Sequence, residues 1–267
     1  MIQVPTAPWT GSLSKEMVEA WNDVGAVRFT GFASPEEVAR LRAALDDLGE
    51  RWLAEGRRTV HGIPLKIGQR GDGRRFVQRF AFTSLFSPAF QEFVRSGRFE
   101  PVRRLMGEDF RVAEDEKDGV VVNHYRNELG SRYKALGWHT DGLRDLFYLR
   151  LPGPMINVGF YLDDSPIAKG ALRILPGSHR QGFASMAFGK CYFVDHRPDA
   201  NEVVVEAQAG DLTLHDGRLW HRVAEATVFG DASTRRTLYV PVIDGPVNRK
   251  HEGSPTPLYH RLQWVTG

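Results

Sequence analysis

Apolar positions in the first hundred or so residues recur at helical spacing. Ser34-Pro35-Glu36-Glu37 supplies an N-cap, a proline at the first helical position and two acids in the first turn, and Val38, Leu41, Ala44, Leu45 and Leu48 follow on one face. Ser87-Pro88 opens a second predicted helix, and Pro101 to Met106 a third. From about Gly119 the pattern changes to short β-branched and aromatic runs bounded by Gly, Pro and Asp. Predicted strands cover Val120 to Tyr125, Met155 to Leu162, Ala171 to Leu175, Glu202 to Glu206, Asp211 to His215 and Arg236 to Ile243. Short strands joined by turns, without long helices between them, predict an antiparallel barrel or sandwich. The expected fold class is mixed α+β, mainly β. No repeat, low-complexity tract or linker breaks the chain, so residues 1–267 are expected to form a single domain: a mostly helical part over about 1–115, a barrel core over about 116–245 and a C-terminal segment over 246–267.

Composition narrows the function classes. Apolar residues at 42% and charged residues at 25% are ordinary for a folded globular chain. Thirty-five Lys and Arg against 33 Asp and Glu leave a net charge of +2, too small for a general nucleic-acid or anionic-membrane footprint. The single Cys191 forms no internal disulfide, the N-terminal stretch lacks signal-peptide regions, and no apolar run reaches about 18 residues. The expectation is a cytoplasmic protein acting on a small molecule, with no nucleic-acid or membrane partner.

The candidate chemistry is a metal site. A divalent iron that must bind both a co-substrate and oxygen uses few protein ligands, and two His plus one carboxylate on one face leave three positions open. In Trp138-His139-Thr140-Asp141-Gly142, His139 and Asp141 are two apart, a spacing that points both the same way at a strand end. His221, which follows the strand-like Asp211 to His215 and the Gly217 turn, is the natural third ligand. The triplet alone does not separate ligands from surface or core-satisfied side chains. His215 and His179 compete for attention, and His179, which ends a Pro-Gly-Ser turn, is expected to hold a loop. No His-Glu-x-x-His hydrolase spacing occurs.

Several stretches, in order, resemble the phytanoyl-CoA dioxygenase family of iron and 2-oxoglutarate oxygenases. They are Leu105 to Asp109, Trp138 to Gly142, Phe160-Tyr-Leu-Asp-Asp164 followed by Gly170 to His179, and Gly210-Asp211 to His221. The resemblance covers roughly residues 100 to 242. It implies a double-stranded β-helix of jelly-roll or cupin type with N-terminal helices packed on it, and an iron(II) site of His139, Asp141 and His221, with His215 beside it, that works with 2-oxoglutarate and O2. It also implies oxidative decarboxylation to succinate and CO2, coupled to attack on a substrate C–H bond. Asp141 matters here, because related halogenases carry a small residue at that position, so an Asp favours oxygen insertion. Desaturation, epimerisation and cyclisation share the same hydrogen abstraction and stay open, as does a non-catalytic cupin-like protein that binds a small acid.

A planar guanidinium suits the distal carboxylate of 2-oxoglutarate. The family pattern selects Arg235 in Arg235-Arg236-Thr237-Leu238-Tyr239, with Arg236 the alternative, since adjacent strand residues face opposite ways. Asn123 matches a position that offers an amide to the co-substrate, a strand-edge hydrogen bond being the alternative. Thr140 and Trp138 flank the ligands and either shape the pocket or pack. The basic, glycine-punctuated segment Leu65 to Arg79 suits a carboxylate, phosphate or coenzyme A ester, or is a solvated loop. Phe147 and Tyr148 line a substrate pocket or belong to the core.

Overall fold

The computed structural model describes residues 3–131, 133–148, 152–257 and 260. The side chains of Phe147 and Tyr148, and residues 258, 259 and 261–267 of the C-terminal segment, lie outside the described residues. Among those described, six α-helices are α1 (Lys15–Val24), α2 (Pro35–Ala54), α3 (Thr83–Phe86), α4 (Pro88–Val94), α5 (Glu100–Arg104) and α6 (Phe183–Phe188). The strands of the N-terminal part are β1 (Thr6–Pro8), β2 (Ala26–Thr30), β3 (Thr59–Val60), β4 (Ile63–Pro64), β5 (Lys66–Gln69), β6 (Arg75–Phe80) and β7 (Arg111–Val112). Those of the core are β8 (Val121–Tyr125), β9 (Leu136–His139), β10 (Met155–Tyr161), β11 (Leu172–Ile174), β12 (Val203–Val205), β13 (Leu212–Asp216), β14 (His221–Val223) and β15 (Arg235–Ile243).

The core strands form the two sheets of a jelly roll. The large sheet runs β1-β2-β13-β10-β15-β8-β6-β5, with β7 also on β15, and the small one runs β12-β11-β14-β9. No ladder joins the two sheets among the described residues. The six strands expected from sequence are all present, each within two residues of its expected ends.

The N-terminal part differs from the helical expectation. β1, β2, β5 and β6 extend the large sheet at both edges, so residues 1–115 supply strands as well as helices. The segment Leu65 to Arg79 is accordingly a β-hairpin, in which β5 and β6 pair antiparallel from Lys66↔Arg79 to Gln69↔Arg75. It is therefore built into the sheet, and only its turn is a solvated loop.

Helix α2 begins where the sequence directs it. The Ser34 hydroxyl accepts from Glu37 N at 3.3 Å, Pro35 opens the first turn, and Val38, Leu41, Leu45, Leu48 and Trp52 are buried along one face. They join one apolar cluster with Val122, Ile156, Val158, Phe160, Leu212, Leu214, Leu238 and Val240 from the large sheet. Because strand side chains alternate, the residues between these point to the other face, toward the small sheet. That inner face carries Asn123, Asn157, Thr213, His215, Arg235 and Thr237, all buried. The fold thus places its apolar face against the helices and its polar face in the interior between sheets.

Candidate metal centre

His139 and His221 are directly paired across β9 and β14, which explains why residues so far apart in sequence meet. Their rings lie 4.0 Å apart between centroids. Asp141 follows in the bend after β9, held there by Gly142 N donating to Gly217 O at 2.8 Å. One ligand atom from each of the three lies within 4.8 Å of the others, and all three residues are buried.

Each imidazole is oriented by its own strand. The Nδ1 of His139 donates to Gly137 O at 2.8 Å and that of His221 to Leu219 O at 2.9 Å, leaving each Nε2 for a metal. Asp141 Oδ1 accepts from Arg144 at 2.6 Å and Oδ2 from Asn157 at 2.6 Å, while Oδ2 also faces His221 Nε2 at 3.7 Å. Burial opposes ionisation of Asp141, but Arg144 and the neighbouring histidines outweigh it and hold the carboxyl well below its usual range. Burial is also the main cause that pushes His139 down to about 4 and His221 well below its usual range, so both rings are neutral at pH 7. Two neutral imidazoles and one carboxylate form the donor set expected for a six-coordinate divalent metal with three open positions.

The approach of the chain to His139 is unusually close. A Cβ on Gly137 would lie 2.4 Å from Phe193 O, and Phe193 adopts φ +62°. Phe193 N donates to Trp138 O and Trp138 N to Asp195 O, both at 2.8 Å, so this segment runs along β9 like an extra strand. The Phe193 ring consequently stacks on His139 at 4.8 Å and 29°.

Beyond the metal ligands, the inner face provides groups fitted to a second anion. Arg235 is 1% exposed; its Nε donates to Lys169 O at 3.1 Å, and its guanidinium lies 4.5 Å from the centroid of Tyr125. Among the described residues its Nη2 has no hydrogen-bond partner, and neither does the hydroxyl of Thr237 two residues on, or Oδ1 of Asn123, which pairs with Thr237 in register. A carboxylate would satisfy the first two and a hydroxyl or amine the third. Arg236 points the other way and is held by Asp163 at 2.8 Å and Asp46 at 3.2 Å.

Several residues named from sequence have other neighbours. Thr140 is buried with its hydroxyl unpartnered among the described residues, and it is not part of the cavity wall. Trp138 faces away from the metal ligands, donating to Arg197 O and lying beneath Lys190 and Arg222. His215 is fully buried with Nε2 3.4 Å from Asp141 Oδ2, beside the ligands as expected. His179 donates to Asn22 O at 2.9 Å and so ties its turn to α1.

Sequence reasoning missed Asn157 and Arg144. Asn157 is the lone amide in the apolar run Met155 to Tyr161, and Arg144 stands three residues beyond Asp141. A cleft opens over the triad and is walled by Lys66, Arg79, Lys117, Arg144, Tyr133 and Phe193, among others. No helix among the described residues is long and apolar enough to cross a membrane.

Comparison with known proteins places the chain in a family. The chain is 25% identical over 185 residues to a probable alpha-ketoglutarate-dependent hypophosphite dioxygenase of Stutzerimonas stutzeri; the match takes in 68% of this chain but only 56% of that protein. Among solved structures, the alpha-ketoglutarate-dependent carbocyclase SnoK of nogalamycin biosynthesis superposes with a TM-score of 0.66 at 21% identity, covering 96% of this chain and 93% of its own. The epimerase SnoN of the same biosynthesis gives 0.63 at 19% identity, covering 90% of this chain and 94% of its own. These two share the fold. The phytanoyl-CoA dioxygenase family model matches residues 21–226 and takes in both the His139 to Asp141 segment and His221, so the chain belongs to the phytanoyl-CoA dioxygenase family.

Proposed function

We propose that the protein is an iron(II)- and 2-oxoglutarate-dependent oxygenase that hydroxylates an unactivated C–H bond of a small organic metabolite. The observation that carries this is the convergence of His139, Asp141 and His221 on one buried point, beside an inner-face cation, Arg235, whose Nη2 is unpartnered among the described residues. When bound, the metal and co-substrate would supply the oxidising power with O2 as the oxidant, one oxygen atom going to succinate as 2-oxoglutarate loses CO2 and the other to the hydroxylated substrate.

The chain's own residues bind and orient. His139, Asp141 and His221 hold the metal from one side and leave the other to ligands. Asn157 and Arg144 fix the Asp141 carboxylate, so Oδ2 stays aimed between the two imidazoles. Arg235 and Thr237 take the distal carboxylate of 2-oxoglutarate, and Asn123 offers its amide nearby. Arg235 is preferred over Arg236 because Arg236 already satisfies Asp163 and Asp46. Phe193 screens His139 from water by stacking on it. Asp141, in place of a small residue, occupies the position a halide would need.

The alpha-ketoglutarate dependence in the names of the relatives supports the cofactor assignment, and their different reactions mark where it stops. Cyclisation or epimerisation would need the same metal ligands and a differently held substrate. A binder without catalysis would have no use for the triad, its orienting carbonyls and the buried arginine together. The test is oxygen-dependent conversion of 2-oxoglutarate to succinate by the iron-loaded protein. Turnover above that of H221A supports the proposal; equal rates in wild type and H221A overturn it.

A further inference from the structure

The cleft above the triad is lined by four cationic side chains, Lys66, Arg79, Lys117 and Arg144, and two carboxylates, Asp118 and Asp141. Three of the cations have carboxylate partners. Arg79 lies 2.7 Å from Asp118, Lys117 2.5 Å from Asp145, and Arg144 2.6 Å from Asp141. Among the described residues Lys66 has neither a carboxylate nor a hydrogen-bond partner; its ammonium rests 4.4 Å from the centroid of the Tyr133 ring. Burial, and then repulsion from Arg79, pushes its pKa down to about 8. A half-buried ammonium held over an aromatic face and without a counter-ion is costly to keep unless it meets an anion.

Tyr133 stacks on Tyr125 at 4.8 Å with their hydroxyls 3.1 Å apart, and Arg235 lies over Tyr125. Lys66, Tyr133, Tyr125 and Arg235 therefore form a ladder with a cation at each end. The Lys66 end borders the cleft, and Arg235 lies deeper, on the buried inner face of β15. Two anions can thus be held at separate places on one side of the metal.

Taking the oxygenase assignment above as its basis, we propose that Lys66 is the specificity-determining residue for an anionic substrate, receiving a carboxylate or phosphorus oxyanion head group at the mouth of the cleft. The head group is fixed on the β5–β6 hairpin, and the carbon to be oxidised reaches inward over the open face of the triad. Lys117 and Arg144, already engaged by carboxylates, shape the wall and add positive potential. The three donors of the ammonium suit either kind of head group.

The test uses the full chain, anaerobic, loaded with Fe(II) and saturating 2-oxoglutarate so that the Arg235 end is filled. Butyrate, methylphosphonate and inorganic phosphate are titrated separately by calorimetry, and the carboxylate and phosphorus arms show which head group is preferred. Saturable binding of at least one probe is expected, weakened about 10- to 100-fold in K66M, the scale of one charged hydrogen bond. K66R should retain binding within a few-fold, and K66M should bind 2-oxoglutarate as wild type does. K66Q stands in should K66M fail to fold. Equal probe affinity in K66M and wild type, no probe bound by wild type, or loss of 2-oxoglutarate binding in K66M each overturns the proposal. If wild type forms no Fe(II)–2-oxoglutarate complex, the oxygenase assignment falls instead, and Lys66 is judged by the same titrations on the protein alone.

Discussion

Replacing Arg235 with Met separates what this residue does for folding from what it does for co-substrate. The guanidinium is buried in an aromatic and polar pocket, with one hydrogen bond to a carbonyl and no carboxylate among the described residues. Met matches its length without the charge, so R235M is expected to leave the apoprotein as stable as wild type or slightly more so. Binding should change in the opposite sense. Losing one charged, hydrogen-bonded pair costs about 1.5–3 kcal/mol, and a loss of about 2 kcal/mol raises Kd about 30-fold. With Zn(II) as a redox-inert metal and 2-oxoglutarate at one hundred times the wild-type Kd, linkage stabilises wild type by about 2.7 kcal/mol and R235M by about 0.9 kcal/mol. In a chain of this size each kcal/mol moves Tm by about 2–4 °C, so the co-substrate shift should fall from about 5–11 °C to about 2–4 °C. Differential scanning fluorimetry reads both quantities. A full 2-oxoglutarate shift in R235M would refute the placement of the distal carboxylate at Arg235. R236M is the contrasting variant: it should keep the full shift while losing about 1–3 kcal/mol of stability, because it breaks the pair with Asp163.

Three further expectations follow from the support around the triad and the core. N157A removes the amide that holds Asp141 Oδ2, and should weaken metal binding about 10- to 100-fold in a chelator-competition titration; unchanged affinity would show that Arg144 alone suffices. G137A forces a Cβ against Phe193 O, so urea unfolding should show a loss of about 1–3 kcal/mol together with weaker metal binding, and a neutral effect would mean that the Phe193 segment moves freely. His124 is pushed down to about 3, chiefly by burial and then by Arg236, from an ordinary value of 6.5. The fold therefore favours its neutral form, and the stability this provides is complete above pH 6.5 and drains away as pH falls toward 3. H124L should flatten that acid limb in urea titrations of the metal-free protein; parallel limbs for variant and wild type would contradict this.

Legibility from sequence tracked how local each feature is. Helix α2 could be read because its cap, proline and apolar face lie within 20 consecutive residues. The choice between Arg235 and Arg236 was readable in principle: Leu238, Val240 and Val242 form the helix-facing set, which sends Arg235, Thr237 and Tyr239 to the inner face. The strand β2, by contrast, is five residues between two helices, and only its pairing with β13 makes it part of the sheet. The Lys66 to Arg79 hairpin carries so many charges that it reads as a loop, yet Phe76 to Phe80 is buried against β8 and α2. His215 and His221 could not be ranked by spacing, because what separates them is the cross-strand pairing of His221 with His139. Asn157, Arg144 and the aromatic ladder to Lys66 depend on contacts between distant strands, which leave no periodic signal in the chain.

The central claim is that His139, Asp141 and His221 bind iron together with 2-oxoglutarate. Anaerobic titration of Fe(II) and then 2-oxoglutarate into the purified protein tests it most directly, through the visible charge-transfer band of the chelate. Wild type is expected to develop a saturable band that is absent from H221A. No band in wild type, or the same band in H221A, would contradict the account.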